Sequence, residues 1–430
     1  MFSFALQRLE ARLGEHFAQL VRGLGAYGSA EFLSRLVRLA TTVVIARRLA
    51  PDIVGEAALA LSVFELVRVL ERTGTGQQIV RAPAERLAAT CNTIQRFYLV
   101  WTGLLIVVQV LVALMLGTLL GRPLAGMMLA CLALVYPFMA FGHVQLFLAM
   151  RAGHVGRLAR INATQSIADQ LLTTAMLLQW ASPWSIVLPK LLTAPIWLIQ
   201  TRRAAQWKSD PAAGMLPLAE VLRYAGSVLL ADGLTALRTQ GDNLIVAAAL
   251  GTRALGTYFF AFNAGIGILS SLIGAFGSVI FPMFCRADPG GPRRAVLRRA
   301  GLGGLMLFVP LIAAQALGAP WYVPLVFGRH WAFAAPYIAT MCLAGVPLML
   351  NQLATSWLRA EGRVGTDAMI SATTCFMALG GLALGVQSGR IDLAIIGLVA
   401  GQTLASAWFA MRVLVPALRG TPTVLEPAHV

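Results

Sequence analysis

Hydrophobic residues along this chain fall in long runs separated by short, arginine-bearing breaks. About 20 apolar residues cross a bilayer as a helix. On that measure the pattern predicts twelve spans: 25–47, 53–73, 98–120, 124–149, 161–181, 184–201, 222–250, 254–284, 301–318, 332–355, 365–386 and 391–411. The third, Leu99 to Leu120, carries no charge; the first, second and seventh carry several. Ahead of the spans, Leu6, Leu9, Leu13, Phe17, Leu20 and Leu24 recur at three- and four-residue steps. That stripe predicts an amphipathic helix over 1–22 lying on the membrane surface. The segment has neither the continuous apolar core nor the small-residue cleavage site of a signal peptide, so it is expected to be retained.

Composition agrees. Of 430 residues 58% are hydrophobic and 12% charged, against about 25% charged in soluble domains. A soluble enzyme, a disordered chain and a disulfide-stapled module are thereby excluded. The net charge of +16 fits either nucleic-acid binding or cytoplasmic loops. Position decides. With the N-terminus inside, cytoplasmic segments hold 21 Lys and Arg, and the opposite face holds 6 (Arg47, Arg48, Arg122, Arg253, Arg329 and Arg390). The bias predicts N-in and C-in, an even number of spans, and no nucleic-acid partner.

The longest hydrophilic stretch, about 202–218, lies at the midpoint and suggests a duplication. At an offset of 201, Gly25 falls on Gly226, Leu36 on Leu237, Leu49 on Leu250, Gly55 on Gly256 and Ala60 on Ala261, with nine identities over 39 positions. Glu31 meets Asp232 and Ser34 meets Thr235. Six spans per half make the repeats parallel, a common transporter plan with the substrate site between the halves. The expected organisation is an all-α integral membrane protein of two parallel six-helix lobes. Its parts are an interfacial helix (1–22), an N-terminal lobe (23–203), a cytoplasmic linker (204–218), a C-terminal lobe (219–414) and a cytoplasmic tail (415–430).

Catalytic motifs do not emerge. There is no phosphate-binding G-x-x-x-x-G-K-[ST] loop. Gly301-Leu302-Gly303-Gly304 and Gly381-x-x-x-Gly385 lie in apolar spans and read as helix-packing surfaces. The five histidines show no ligand spacing, and the five cysteines no CxxC pairing. No enzyme, metal or cofactor is expected, and no external loop has room for an extracytoplasmic catalytic domain. Prolines inside spans (Pro137, Pro189, Pro195, Pro310, Pro336, Pro347) predict sites where helices kink.

Candidate chemistry lies in charges that the bilayer disfavours, at about 3 kcal/mol each near its centre on insertion scales. In the first span Tyr27, Glu31, Arg35, Arg38 and Thr42 share one helical face. Glu31 and Arg35 are one turn apart and can pair, but that leaves Arg38 without an anion on its own helix. A face lining a water-filled cavity therefore reads better than a purely structural ladder. In the second span Glu65 pairs favourably with Arg68, and Arg68 with Arg72; Glu71 and Arg72 sit near the cytoplasmic end. The deeper Glu65 is also a cross-span partner for Arg35. In the seventh span Arg238 and Asp242 stand four apart, leaving Asp232 as the isolated acid. Asp169 and Lys190 flank one turn and are expected to pair; Asp367 stands alone in the eleventh span.

Two further segments bring a resemblance. Leu49-Ala50-Pro51-Asp52-Ile53-Val54-Gly55, followed by Gly74-Thr75-Gly76-Gln77-Gln78-Ile79-Val80-Arg81, resembles the opening of bacterial polysaccharide biosynthesis flippases. These belong to the multidrug/oligosaccharidyl-lipid/polysaccharide (MOP) exporter superfamily. Gln240-Gly241-Asp242-Asn243-Leu244-Ile245, Leu255-Gly256-Thr257-Tyr258 and Phe281-Pro282 continue it. The resemblance covers roughly 25–285. Two positions depart from the family pattern: Ala50 stands where Gly is usual, and Val54 where an aromatic is.

The resemblance implies a multi-pass protein of the bacterial inner membrane. It would flip an undecaprenyl-pyrophosphate-linked oligosaccharide to the periplasmic leaflet by alternating access of two MATE-like lobes. Inner-membrane lipids, and polysaccharide polymerase or export proteins, are the partners it suggests. Arginine grips diphosphate bidentately, so Arg35, Arg38 and Arg68, with Tyr27, are the expected substrate contacts. Glu31, Asp232, Glu65, Arg238 and Asp242 are the expected ion-coupling or gating groups. Alternatives are a multidrug/cation antiporter of the same superfamily, a peptidoglycan-precursor flippase, which usually has fourteen spans, and a non-transporting scaffold of a glycan assembly complex.

Overall fold

The computed structural model describes residues 34, 36–71 and 75–420, with the backbone alone at 155, 218–239, 268 and 364. The interfacial helix expected over 1–22 lies outside the described residues. Every regular element among those described is helical. In chain order these are α1 (36–48), α2 (Pro51–Val69), α3 (Thr75–Arg81), α4 (Leu87–Thr118), α5 (Pro123–Leu132), α6 (Val135–Arg151), α7 (Val155–Gln179) and α8 (Trp184–Ala204). There follow α9 (Leu218–Ala264), α10 (Ile266–Arg286), α11 (Gly291–Val326), α12 (Ala335–Leu343), α13 (Gly345–Ala360), α14 (Val364–Val386), α15 (Ile391–Phe409) and α16 (Val415–Arg419).

Eight helical stretches among the described residues are long and apolar enough to cross a membrane. They are Ala84–Thr118, Pro123–Arg151, Gln240–Ala264, Leu269–Arg286, Gly291–Val326, Arg329–Ala360, Gly365–Val386 and Ile391–Arg419. Large apolar side chains along them, such as Val100, Leu111, Met306 and Leu384, are exposed, as lipid-facing residues are. The second, fifth and sixth expected spans also fall on helices, α2, α7 and α8, but their charges (Glu65 and Arg68; Arg157, Arg160 and Asp169; Lys190) lower their hydropathy.

Two departures from the expected boundaries have local causes. The external loop expected near 251–253 is reduced to one residue: Gly251 takes non-helical φ 80° and ψ 177°, and the two helical parts of α9 meet at that kink. The fourth and tenth spans are each broken. α5 gives way to α6 at Ala133–Leu134, and α12 to α13 at Ala344. Proline clashes with the carbonyl four residues earlier; those carbonyls belong to Ala133 for Pro137 and Leu343 for Pro347, which is where the helices part. By contrast Pro189, Pro195 and Pro310 sit inside unbroken helices, and Pro336 occupies the first turn of α12. The paired breaks are a second trace of the repeat.

The chain divides into two compact units. Unit 1 comprises the described part of Met1–Arg48 with Ala60–Leu237; unit 2 comprises Leu49–Leu59 with Arg238–Val430. Within unit 2 the repeat is visible as a reciprocal contact. A Cβ on Gly55 would stand 1.8 Å from the Thr252 carbonyl oxygen, and one on Gly256 would stand 1.7 Å from that of Pro51. Both pairs are related by the same 201-residue offset, so the start of α2 crosses the corresponding part of α9 backbone to backbone. Only glycine permits that approach.

Glycine also shapes the α14–α15 hairpin of unit 2. A Cβ on Gly381 would meet the Gly397 carbonyl oxygen at 2.1 Å, and one on Gly401 the Met377 carbonyl oxygen at 2.0 Å. The packing role expected of Gly381-x-x-x-Gly385 is thus realised. Gly304 likewise abuts Phe276 and Met349, while Gly303 faces open space.

Candidate functional site

Of the residues expected to carry function, Tyr27, Glu31 and Arg35 lie outside the described residues, as do the side chains of Asp232 and Arg238. The others fall into two settings, one in each unit.

In unit 1, α1 packs on α7 through small hydroxyl residues: Ser34 Oγ lies 2.9 Å from Ser166 Oγ, and Thr41 Oγ1 lies 3.1 Å from Thr174 Oγ1. Such contacts let helices approach closely while satisfying each polar group. Arg48 donates from Nε to the Leu177 carbonyl at 3.0 Å and from a terminal nitrogen to the Leu178 carbonyl at 2.5 Å. A cation at this C-terminal end of α7 complements the helix dipole. Arg38 is exposed on α1, and its guanidinium makes no hydrogen bond or ion pair among the described residues. Asp169 differs from expectation. Instead of an ion pair with Lys190, its Oδ1 is buried with no hydrogen-bond partner among the described residues, and Lys190 and Arg38 act on it only through space.

The second-span charges are built into a network. Arg68 pairs with Glu65 at 2.7 Å, as the three-residue spacing predicts, and its guanidinium lies 5.7 Å from the centroid of Phe64. The expected open position of Glu71 is corrected: Glu71 accepts a hydrogen bond from the phenol of fully buried Tyr98. Tyr98 stacks on His143 with ring centroids 3.6 Å apart, and His143 Nε2 lies 3.3 Å from Thr75 Oγ1. Beside it Tyr136 donates to Gln109 Oε1 at 2.7 Å, and Gln109 Nε2 donates to the Leu129 carbonyl at 2.7 Å. Each of these groups finds its partner inside the unit.

Unit 2 holds a hollow of about 600 Å3 with a different character. Its walls carry Asp242, Ser270, Asn351, Gln352, Thr355, Arg359, Ser371, Thr374 and Gln402, set among Phe262, Ile266, Leu348, Ile370 and Leu398. Among the described residues Arg359 is the cation on this wall, and it is anchored. Arg359 Nε donates to Asp367 Oδ2 at 2.7 Å, and Thr355 Oγ1 donates to Asp367 Oδ1 at 2.7 Å. Asp367 is buried while the Arg359 side chain is 57% exposed, so the acid orients the guanidinium and leaves its terminal nitrogens available. Asp242 accepts from Tyr258 at 2.8 Å and from the Asn243 backbone N–H at 2.8 Å. Asn351 Oδ1 and Thr374 Oγ1 are buried without a hydrogen-bond partner among the described residues. Buried polar atoms are ordinarily satisfied, so two orphans on one cavity wall mark acceptor and donor capacity held for a ligand.

Arg359 was absent from the expected contacts because it reads as a loop arginine at the cytoplasmic end of its span. A signal for it does exist: Thr355 and Arg359 are one turn apart on α13, and Asp367 follows across the Gly362 turn (φ 76°). Among the described residues no group of three or more His, Cys, Asp and Glu is arranged to hold a metal ion.

Known proteins share this architecture. A solved inward-facing multidrug-resistance MATE transporter of the MOP superfamily aligns with a TM-score of 0.67 and 17% identity over 90% of this chain and 96% of its own. The succinoglycan biosynthesis transport protein ExoT of Rhizobium meliloti is 22% identical over 84% of this chain and 73% of its own length. The lipopolysaccharide biosynthesis protein WzxC of Escherichia coli is 22% identical over 81% of this chain and 71% of its own. The family model described as "Polysaccharide biosynthesis protein" matches residues 44–336, more than half of the chain. This multi-pass membrane protein, on a fold shared with MOP-superfamily transporters, belongs to the polysaccharide biosynthesis protein family.

Proposed function

We propose that the protein is a flippase that moves an undecaprenyl-pyrophosphate-linked oligosaccharide across the bacterial inner membrane by alternating access. It would supply polysaccharide polymerase and export proteins on the far side. Family membership supports the pathway, and the relatives named for succinoglycan transport and lipopolysaccharide biosynthesis support the substrate class. The observation that carries the reading is the unit 2 cavity. Its amides and hydroxyls match the alternating donors and acceptors of sugar hydroxyls, and Phe262 adds an apolar surface for a ring face. The anchored Arg359 adds a fork suited to phosphate oxygens.

This reading redistributes the expected contacts. Arg359 joins Arg38 as a phosphate-contacting residue, since each presents terminal guanidinium nitrogens that bond no side chain among the described residues. Arg68 is engaged by Glu65 and would have to change partners to take part. Arg35 and Tyr27 stay candidates on the strength of their helical face. Among the coupling candidates, Asp242 is the acid on the cavity wall, so proton or cation exchange would act there next to the substrate.

The test is a sidedness assay in inverted and right-side-out vesicles from cells with and without the gene. A membrane-impermeant glycan label reads which leaflet holds the lipid-linked oligosaccharide. Trapping on the cytoplasmic side when the gene is lost is the expected result. Unchanged sidedness would remove the glycan role.

A further inference from the structure

A second hollow of about 600 Å3 lies in unit 1, between α4, α6, the end of α8 and the linker that follows. The expected N-in orientation places it at the cytoplasmic surface. Arg202 and Lys208 stand on its wall, which among the described residues carries no acid. Arg202 is held in place: its Nε donates to the Phe141 carbonyl at 3.3 Å, and its guanidinium lies 5.8 Å from the Phe141 ring centroid. The linker bearing Lys208 is also fixed. Asn92 Nδ2 donates to the carbonyls of Asp210 at 2.7 Å and Gly214 at 3.2 Å, and Ser209 Oγ donates to Asn92 Oδ1 at 2.9 Å. Trp207 packs against a cluster containing Ile79, Cys91 and Val144.

Two further features say what the hollow takes. Gln145 lines it and is only 6% exposed, yet its Oε1 has no hydrogen-bond partner among the described residues. Leu99 and Phe141 also line it and are 39% and 46% exposed on membrane-crossing helices. Two ordered cations, an unspent polar group and a lipid-facing apolar side describe a site for an anionic amphiphile. Basic pockets between helices at the cytoplasmic interface bind phosphate-bearing lipid heads in this way.

We propose that this hollow binds the phosphate head of a lipid from the cytoplasmic leaflet. Arg202 and Lys208 contact the phosphate oxygens, Gln145 bonds the polar atoms beside them, and the chain lies along Leu99 and Phe141. The phosphate has two sources, a bilayer phospholipid or a polyprenyl pyrophosphate. The site does not depend on the transport reading, because its residues are distinct from those of the unit 2 cavity.

The test is native mass spectrometry of the full chain titrated with phosphatidylglycerol, undecaprenyl pyrophosphate and zwitterionic phosphatidylcholine. The Arg202→Gln/Lys208→Gln variant is expected to weaken binding of an anionic lipid by about tenfold while phosphatidylcholine is unaffected. Loss confined to phosphatidylglycerol identifies a bilayer phospholipid, and loss confined to undecaprenyl pyrophosphate identifies the polyprenyl head. Equal affinities in wild type and variant, or equal weakening for all three lipids, overturn the proposal. Gln145→Leu and the single Lys208→Gln variant repeat the measurement if the double variant melts early. Unchanged glycan sidedness with lipid binding intact would remove the flippase reading and leave this site standing.

Discussion

The buried polar groups around Tyr98 in unit 1 and those lining the cavity of unit 2 come from the same residue types but are used oppositely. Around Tyr98 the carboxylate, phenol, imidazole and hydroxyl close on one another: Glu71 accepts a hydrogen bond from the Tyr98 hydroxyl, His143 stacks beneath it, and Thr75 meets the ring nitrogen. Around Arg359 one ion pair is closed, while Asn351 Oδ1 and Thr374 Oγ1 stay open. In a low-dielectric interior a satisfied network rigidifies the fold, whereas an unsatisfied atom is a standing cost. The difference teaches that polar residues in these helices are not uniformly functional. The network around Tyr98 closes on itself, whereas the cavity wall of unit 2 leaves part of its polar capacity open among the described residues.

The sharpest way to break that contrast is to open the closed side. Tyr98→Phe keeps the ring stack but removes the phenol that Glu71 accepts from. Hydrogen bonds to charged groups are worth about 1.5–3 kcal/mol, so the unfolding free energy of the purified protein should fall by about that amount, read as a lower melting temperature. Transport per folded molecule, read in the vesicle assay, should be unchanged. A transport defect without loss of stability would make the network part of the substrate path.

The next effect belongs to the cavity. Arg359→Lys keeps a cation near Asp367 but loses the planar fork. Translocation should fall about tenfold, equivalent to about 1.4 kcal/mol, with the melting temperature little altered. Arg38→Ala, on an exposed guanidinium with no described partner, should leave stability untouched and weaken translocation about threefold to tenfold, in keeping with an exposed phosphate contact. Wild-type transport in both variants would move the phosphate contact elsewhere.

The sequence made much of the fold legible and little of this contrast. Apolar run length marks the eight spans among the described residues that are long and apolar enough to cross a membrane, Pro137 and Pro347 mark two of the helix breaks, and Gly55 and Gly256 mark the repeat's close crossing. Spacing of three or four residues reveals partners on one helix, and Glu65–Arg68 was found that way. It is blind to partners on other helices. Glu71 meets Tyr98 27 residues on, and Asp242 meets Tyr258 16 residues on, beyond the Gly251 kink. Asp169 and Lys190, neighbours across a turn, do not bond. Arg359 was assigned to a loop by its charge, although Asp367 holds it against a cavity wall.

The smallest effect is also the cleanest, because one substitution can be made in both regions. Thr→Val replaces a hydroxyl by a methyl of nearly equal size. At Thr75 it removes the hydroxyl that meets His143, a loss of about 1 kcal/mol. At Thr374 it removes a hydroxyl that has no partner among the described residues, so the desolvation cost disappears and stability should hold or rise by up to about 1 kcal/mol. Transport should follow the opposite order: unaffected by Thr75→Val once normalised to folded protein, and reduced about twofold to fivefold by Thr374→Val, the loss of a single neutral hydrogen bond to the substrate. Thermal melts and vesicle transport on the two variants give four numbers. If Thr374→Val destabilises as much as Thr75→Val, the cavity hydroxyl has an internal partner and the distinction between a closed and an open polar region fails.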